Sequence, residues 1–433
     1  MIYVLLICTF VILFFTYIFS NNDIMFPGCI VCIVWIFGEL CVIYNINYWG
    51  VAISGKTALI YLSTIFVFVL MSFFGDYLGR RGFRGFNVKQ DNVELTTEIS
   101  RKCIVLFAVF NLVAMLLVVA SVWKTAGIST MRDSNAYAVA MSQYRGSGES
   151  LPGMVKQLYK IMKCDSYVFL YFFCIRKKDR KSVFYLLPGI LFCIASLSTG
   201  SRTDLLHFFI AMLVVVYIST QEKRNWSVKP NFKYIIGCIV AVGLFLFFFN
   251  FVKTFVGRLN GSDPLRYITS YAGGSIQLFD MYLKNPTGKS EQFGQLALYS
   301  LWQNIEKLKL ATWKPAGLEF RMSNGHLIGN LYTSIRRYYQ DFGLIGNYIL
   351  QSIFAIFYSF WYRRIKKSNG SENGFSIIMY SMMISPLFLH AIDDTFFSGF
   401  LCVNTLLLAF ITKIIYSLLN QKIHVAIKGK IIF

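Results

Sequence analysis

Long runs of apolar residues recur along almost the whole chain, and this pattern constrains the fold more than any other feature. Runs of about 18 or more apolar residues are candidate transmembrane helices. The runs predict eleven spans, most of them joined by short polar connections. They are placed at 2–19, 25–44, 57–78, 103–123, 157–175, 183–198, 205–220, 234–255, 342–362, 375–392 and 399–417.

The composition agrees with this pattern. Of the 433 residues, 56% are hydrophobic and 17% aromatic, and only 15% are charged. A soluble domain of this length would carry more charge and fewer long apolar runs. The sequence therefore predicts an all-α, polytopic integral membrane protein, organised as a single membrane-embedded domain over residues 1–433.

The basic residues give the orientation of the spans. Short loops on the cytoplasmic side of a membrane are enriched in Lys and Arg. The clusters at 80–102, 176–181, 221–233 and 363–367 carry six, five, four and four basic residues, and they alternate consistently if all are cytoplasmic. The N-terminus then lies outside, and the N-terminal run is read as a retained first span. The net charge of +21 is spread over such loops, so it favours anionic lipid headgroups and not nucleic acid as a partner.

One exterior segment, residues 256–341, is too long to be a simple connector. Asp263 and Pro264 are typical of a helix start, and this first loop helix is expected to reach Leu283 with a flexible point at Gly273–Gly274. A second helix is expected to start near Ser290, with an amphipathic pattern that suits either a membrane surface or the loop's own core. Counted from Lys253 at its edge to Arg337, this region has eleven Lys or Arg, against six Asp or Glu between 263 and 341.

The polar chemistry is concentrated in the stretch NGHLIGNLYTSIRRYYQDFGLIG, residues 324–346. Arg337 and Asp341 are spaced i,i+4 on a helix, so they would form either an ordinary salt bridge or part of an anion site. His326 would be a proton acceptor near neutral pH or a plain surface histidine. Glu319 and Asp280 are further acidic candidates for a general base.

A second candidate lies in the tight exterior turn 199–204. Arg202 at the headgroup level has a guanidinium fork that suits a diphosphate, and the backbone N–H groups of the following helix start would add to such a site. Alternatively Arg202 snorkels to the membrane surface or pairs with Asp204. Within the spans, Asp165 is expected to pair with a neighbouring Lys, whereas Glu39 has no evident partner.

Several motifs are missing from the sequence. There is no D-x-D metal motif, P-loop, H-E-x-x-H or G-x-S-x-G. This argues against a nucleotide-sugar transferase, a pump ATPase, a zinc protease and a serine hydrolase. No cofactor and no metal site are expected.

Four segments together resemble the O-antigen polymerase (Wzy) family of bacterial oligosaccharide repeat-unit polymerases. They are FPGCIVCIVWIFGEL (26–40), LSTGSRTDLL (197–206), YITSYAGGSIQLFDMYL (267–283) and GNLYTSIRRYYQDFGLIG (329–346). Their order and the layout of spans around one large periplasmic loop cover nearly the whole chain.

This resemblance implies a glycosyl transfer in the bacterial inner membrane. A growing glycan on undecaprenyl diphosphate would pass to the non-reducing end of a new undecaprenyl-diphosphate-linked repeat unit. Arginines would stabilise the diphosphate leaving group without a metal. Membrane lipid and a chain-length regulator protein are the other expected partners.

The residues expected at the site fall into two groups. The expected catalytic residues are Arg202, Arg336, Arg337, Asp341 and His326. The expected substrate-binding residues are Arg258, Arg266, Tyr267, Tyr271, Arg321, Asn330, Tyr332, Tyr338 and Tyr339. Two alternative functions remain open at this point, a lipid-linked oligosaccharide flippase and an O-antigen ligase, which shares the diphosphate leaving group.

Overall fold

The computed structural model describes residues 1–50, 52–81, 99–128, 134–175, 180–226, 243, 263–288, 290–368 and 373–427. Within these ranges the chain forms fourteen α-helices, a short 3-10 helix, a π-helix and one two-stranded hairpin. The expected all-α class is therefore confirmed. Except for residue 243, the expected span 234–255 lies outside the described residues, as does Arg258.

The helices are numbered here in chain order. They are α1 Ile2–Phe19, α2 Pro27–Trp49, α3 Gly55–Arg81, α4 Arg101–Ala126, α5 Ser134–Gly146, α6 Gly153–Ile175, α7 Leu187–Ser198, α8 Thr203–Lys223, α9 Pro264–Lys284, α10 Tyr299–Lys307, α11 Ser334–Lys367, α12 Gly374–Met383, α13 Ser385–Phe388 and α14 Val403–Ile427. The strands are β1 Arg321–Ser323 and β2 His326–Gly329, the 3-10 helix is Arg180–Leu186 and the π-helix is Phe396–Phe400.

Seven of the described helices are long and apolar enough to cross a membrane: α1, α2, α3, α4, α8, α11 and α14. Two shorter apolar segments, Ser182–Ser198 and Gly374–Phe388, match two further expected spans. Helix α6 is 23 residues long, but its N-terminal half carries lysines and is too polar to qualify. The multi-pass membrane class therefore holds, although the described residues give seven strong candidates where eleven spans are expected.

Close helix contacts in the bundle depend on glycine. Helices α3 and α11 pack along much of their length. A Cβ on Gly75 of α3 would lie 2.7 Å from the carbonyl oxygen of Ile356, and one on Gly79 would lie 2.8 Å from the side chain of Arg363. The absence of side chains at these two positions lets the backbones approach, as is common between membrane helices.

Two acidic residues inside the expected spans, Glu39 and Asp165, are held by neutral hydrogen-bond donors. Glu39 Oε1 accepts a hydrogen bond from Thr9 Oγ1 at 2.9 Å, and Asp165 Oδ2 accepts one from Asn111 Nδ2 at 3.0 Å. The expected pairing of Asp165 with a lysine is wrong, because the adjacent Lys163 is bound to Asp204 instead.

Helix α9, the first helix of the expected exterior loop, packs into the end of the bundle. Tyr61 Oη of α3 donates to the carbonyl oxygen of Ile276 at 2.8 Å. A Cβ on Gly273 would lie 2.7 Å from the backbone nitrogen of Val42 in α2. The expected flexible point at Gly273–Gly274 is therefore wrong: the helix is unbroken there, because the missing side chain allows close packing on α2.

The second loop helix, α10, begins later than expected, at Tyr299. Residues 291–298 form turns before it. Within this turn segment, Leu296 is buried, whereas Phe293 is 74% exposed. The expected amphipathic helix is thus present only over its second half.

A hairpin that the sequence analysis did not anticipate follows α10. Strands β1 and β2 pair antiparallel across Asn324–Gly325, and both turn residues have positive φ, 49° and 73°. This is the conformation that Asn-Gly favours in two-residue hairpin turns. Ser323 Oγ donates to the carbonyl oxygen of Trp49 at 2.8 Å, which fastens the hairpin to the end of α2.

Helix α11 contains a sharp bend at Gly343, where φ is 68° and ψ is −167°. An L residue with a side chain rarely adopts this conformation. The bend separates a short outer segment, which begins at Ser334, from the apolar segment that follows it. Its position agrees with the expected start of the span near Phe342.

Candidate functional site

The tight turn between α7 and α8 places Arg202 against the first part of α9. Arg202 is the residue immediately before α8 and is only 6% exposed. Its Nη2 donates a hydrogen bond to Tyr267 Oη, and its guanidinium carbon lies 5.4 Å from the centre of the Tyr267 ring. Tyr271, one turn further along α9, packs edge-on against Tyr267 at 5.1 Å.

Asp204, the acidic residue of the same turn, is bound by other partners. Its carboxylate accepts hydrogen bonds from Lys163 Nζ at 2.6 Å and from Tyr159 Oη at 2.9 Å. Both partners belong to α6. The acidic residue of the turn therefore ties α8 to α6, while Arg202 is directed towards α9.

The neighbouring face of α9 carries Arg266 and, through Tyr48, reaches His326. The Arg266 guanidinium carbon lies 4.2 Å from the centre of the Tyr48 ring. The imidazole of His326 stacks on the same ring at 3.7 Å, with the planes 20° apart. The first turn of α9 thus has Arg202 on one side and the Arg266–Tyr48–His326 stack on another.

A second cluster surrounds Arg336 near the C-terminal end of α9. Arg336 is fully buried, and its guanidinium carbon lies 3.2 Å from the ring centre of Tyr282 and 5.1 Å from that of Tyr332. It donates to Gln340 Oε1 and to Glu319 Oε2, the latter at 3.2 Å. Its positive charge is therefore already matched within the protein.

Glu319 also binds Arg321, which contacts the C-terminal end of α9. Arg321 donates to Glu319 at 2.8 Å and to the carbonyl oxygens of Met281 and Asn285, each at 2.7 Å. Burial alone would raise the pKa of Glu319, but hydrogen bonds from Thr287 and Arg321 lower this pKa to about 2. Glu319 is therefore a poor general base and a good anchor for two arginines.

Arg337, the next residue, forms a two-point ion pair with Asp393. Its Nε and Nη2 lie 2.9 and 3.1 Å from the two carboxylate oxygens of Asp393. The neighbouring Tyr338 donates to Asp394 at 2.7 Å. Burial raises the pKa of Asp394 to about 6, although the hydrogen bond from Tyr338 and the charge of Arg337 act in the opposite direction.

Asp341 fastens the segment that precedes α10. Its Oδ2 accepts from the backbone nitrogens of Leu296 and Ala297 at 2.9 and 2.8 Å, and its Oδ1 accepts from Ser290 Oγ. The Arg337–Asp341 salt bridge considered from their i,i+4 spacing does not form. Arg337 binds Asp393 instead, and Asp341 binds the segment that precedes α10.

The remaining aromatic and amide candidates lie around these clusters. Tyr332 and Tyr338 are fully buried, and Tyr332 Oη donates to the carbonyl oxygen of Glu319 at 3.1 Å. Tyr339 packs edge-on against Phe279 at 5.8 Å. Asn330, just after β2, is partly buried.

The site residues therefore fall into two groups joined by one helix. Tyr267, which contacts Arg202, and Tyr282, which contacts Arg336, are fifteen positions apart in α9. At about 1.5 Å of rise per residue, the two contacts are about 22 Å apart along the helix. Both groups lie on the part of the chain that the sequence assigns to the exterior.

A cavity of about 430 Å³ adjoins the second cluster. Its walls include Glu319 and Gln340, both partners of Arg336, together with Gln295 and the Lys314–Gly317 segment. Amide and carboxylate groups beside small residues form a polar concave surface at this end of α9.

Asp393 and Asp394 are the residues that the sequence reasoning missed. They directly follow the expected tenth span, at the end that the sequence assigns to the exterior. An adjacent pair of carboxylates at that depth was a usable signal, because charged groups at the end of an apolar segment need partners. Tyr48 and Tyr282 were not anticipated either, since nothing in the local sequence marks them as partners of arginine.

Taken together, the fold and the site define a multi-pass membrane protein with an arginine- and tyrosine-rich site at one end of its helical bundle. The family model of the O-antigen polysaccharide polymerase Wzy matches residues 87–422. The chain belongs to this family, as the four sequence segments indicated. Comparisons with curated proteins and with solved structures found no match.

Proposed function

We propose that this protein polymerises undecaprenyl-diphosphate-linked oligosaccharide repeat units on the periplasmic face of the bacterial inner membrane. The growing glycan leaves its diphosphate carrier and is joined to the non-reducing end of an incoming repeat unit. One glycosidic bond forms, the bond from the sugar to the donor diphosphate breaks, and undecaprenyl diphosphate is released. The expected large periplasmic loop, residues 256–341, supplies most of the site, and a chain-length regulator protein is the proposed partner.

The position of Arg202 carries this proposal. The bond that breaks leaves negative charge on a diphosphate, and a fixed cation aimed at that charge lowers the barrier. Arg202 is buried, and its hydrogen bond to Tyr267 orients its guanidinium fork. Arg266 on the same turn of α9 supplies a second cation, so that no metal is required in this scheme.

Arg336 and Arg337 are assigned a positioning role. Arg336 is bound to Glu319, and Arg337 is bound to Asp393 through two hydrogen bonds. Separating either pair to bind a diphosphate would leave a partly buried carboxylate without its partner. The two arginines therefore hold the outer segment of α11 against the loop, and Arg321 does the same for the end of α9.

His326 is the better of the two proposed proton acceptors. Asp341 already accepts three hydrogen bonds, whereas His326 is partly exposed and stacks on Tyr48 through its ring face. Stacking leaves the ring nitrogens at the edge available for an acceptor hydroxyl. Tyr267 and Tyr271 lie beside Arg202 and are the sugar contacts that this arrangement favours.

The decisive test replaces Arg202 by Ala and by Lys in cells that lack the native gene. We expect the Ala variant to reduce polymer yield by about 10²-fold or more, since one fixed donor to a developing charge contributes about that factor. The Lys variant keeps the charge but not the fork, so it should retain intermediate activity. Arg224→Ala, at the other end of α8, is the matched control. Undiminished polymer length and yield in Arg202→Ala, at equal membrane levels, would refute the proposal.

A further inference from the structure

The segment 293–310, which contains α10, leaves several large apolar side chains uncovered. Phe293, Leu301, Leu308 and Leu310 are all exposed, and none of the nine described residues of α10 is buried. Single exposed apolar residues are ordinary, but several on one short segment mark a surface that binds something. Of the two settings that the amphipathic pattern allows, the loop's own core is therefore not the one that covers these side chains.

The N-terminal end of this segment lies against the start of a membrane span. The ring of Phe293 packs edge-on against Phe342, with 4.9 Å between the ring centres. Just beyond the bend that follows Phe342, the residues Ile345, Ile349 and Ile353 are exposed at four-residue intervals along α11, so they form one stripe. Helix α11 is a candidate span, and apolar side chains that no protein covers on a span face lipid. Phe293 therefore extends this lipid-facing stripe into the loop.

The C-terminal part of the segment lies beside a second span. Helix α10 packs against the π-helix, which leads directly into the candidate span α14. Val403, Leu406 and Phe410 at the start of α14 are exposed at spacings of three and four residues, so this helix also presents an apolar stripe. The segment 293–310 thus runs along the rim of the bundle, between the first turns of two lipid-facing helices.

The segment is held together and is fastened to the outer part of α11. Trp302 Nε1 donates to the carbonyl oxygen of Phe293 at 2.9 Å, which joins α10 to the turns before it. Asp341 accepts hydrogen bonds from the backbone nitrogens of Leu296 and Ala297 at 2.9 and 2.8 Å. The exposed apolar side chains therefore sit on a fixed surface and not on a loose loop tip.

The residues at the end of α10 alternate between cationic and apolar. Lys307, Leu308, Lys309 and Leu310 follow one another, and all four are exposed. Leucines that enter the acyl-chain boundary while neighbouring lysines stay among the phosphates are typical of segments that lie in a membrane interface. This chemistry and the continuity with two lipid-facing stripes favour a phospholipid surface as the occupant over another protein.

We propose that the segment 293–310 is an interfacial membrane anchor, in which Phe293, Leu308 and Leu310 insert between the phospholipid headgroups and the acyl chains. The bilayer is entered from the side on which the loop lies. Because Asp341 joins this segment to the outer part of α11, the anchor fixes the depth of that part relative to the headgroups. The placement of the loop is independent of the reaction proposed above, so its test requires no polymerisation assay.

The test maps which side chains touch lipid in the full-length protein, reconstituted in phosphatidylcholine nanodiscs. Phe293 and Leu310 are replaced, one at a time, by the photoreactive amino acid p-benzoylphenylalanine, and the mass of the irradiated protein is measured. The matched control is Met322, which is also exposed and apolar. It lies on the face of its strand opposite to Arg321 and Ser323, both of which contact the bundle.

We expect a phospholipid adduct, attached through an acyl chain, at positions 293 and 310 but not at position 322. Melting temperatures equal to that of the wild type would show that the labelled variants are folded. Equal lipid adducts at all three positions would mean that crosslinking reports exposure alone, and this result would overturn the proposal. Irradiated variants without a lipid adduct at 293 and 310, or with a crosslink to a second copy of the chain there, would also overturn it.

Discussion

Arg337 and Asp393, 56 residues apart in the sequence, form an ion pair through two parallel hydrogen bonds of 2.9 and 3.1 Å. The pair joins the outer segment of α11 to the connection that leads into the π-helix. Both side chains are largely buried, with 15% and 18% of their surfaces exposed. This contact holds the segment that carries Arg336 and Tyr338 in place.

Replacing Asp393 by Asn should therefore destabilise the protein. The substitution leaves the Arg337 charge largely buried without its partner, which costs about 3 kcal/mol. The melting temperature of the purified protein in detergent should fall accordingly. Glu291→Gln breaks an ion pair with Lys314 that is mostly exposed, and it should leave the melting temperature unchanged. Equal effects of the two substitutions would contradict the structural role assigned to Asp393.

Gly273→Ala should separate α9 from α2. The added Cβ would lie 2.7 Å from the backbone nitrogen of Val42, and backbone cannot move aside as a flexible side chain can. Overpacking of this kind costs about 1–3 kcal/mol, and polymerisation should fall with it because α9 carries Arg266 and Tyr267. Gly146→Ala, where no atom lies within 4 Å of the new Cβ, is the control and should be neutral. A wild-type melting temperature for Gly273→Ala would argue against the close approach.

His326→Phe should keep the ring stacked on Tyr48 but remove the proposed proton acceptor. We expect the polymerisation rate to fall by about 10²-fold, the lower end of what general base catalysis contributes. Thermal stability should stay near that of the wild type. Leu327→Phe introduces the same ring at the next position, which is exposed, and should leave the rate unchanged. A fully active His326→Phe variant would exclude His326 as the base.

Glu319 should make the loop that contains it sensitive to acid. Its pKa is about 2 in the folded protein, below the ordinary value of 4.5, so the unfolded chain binds this proton more readily. The resulting stability is present above about pH 4.5 and is lost as the pH falls through about 2. The melting temperature of Glu319→Gln should therefore vary less over this window than that of the wild type. Glu306→Gln should retain the wild-type pH dependence, and an identical profile for both variants would contradict the assignment.

The apolar runs predict most of the bundle because length and hydropathy are properties of single segments. Helices α1, α3, α4 and α8 coincide closely with expected spans, whereas α2 and α14 extend beyond theirs. Helix α6 departs from this rule, since Lys156, Lys160 and Lys163 make its N-terminal half polar. Asn324–Gly325 is typical of a two-residue hairpin turn, but the loop was expected to be helical and the hairpin was not predicted.

The site was harder to predict because its contacts are made between distant segments. Spacing along a helix suggests a salt bridge between Arg337 and Asp341. In the structure, Asp341 accepts a hydrogen bond from the backbone nitrogen of Leu296, and the guanidinium of Arg337 binds Asp393. Gly273 gives the same lesson: a glycine within a helix can reflect flexibility or close packing, and only the neighbouring helix decides which. Local sequence contains the polar residues of the site but not their partners.

The bend at Gly343 makes the direction of the segment that carries Arg336 and Arg337 independent of the direction of the apolar span that follows it. A straight helix would make the direction of Arg336 and Arg337 depend on how the span tilts within the bilayer. With the bend, that direction is set by the carboxylates of Glu319 and Asp393. The span can therefore tilt in membranes of different thickness while the segment that carries Arg336 and Arg337 keeps its alignment.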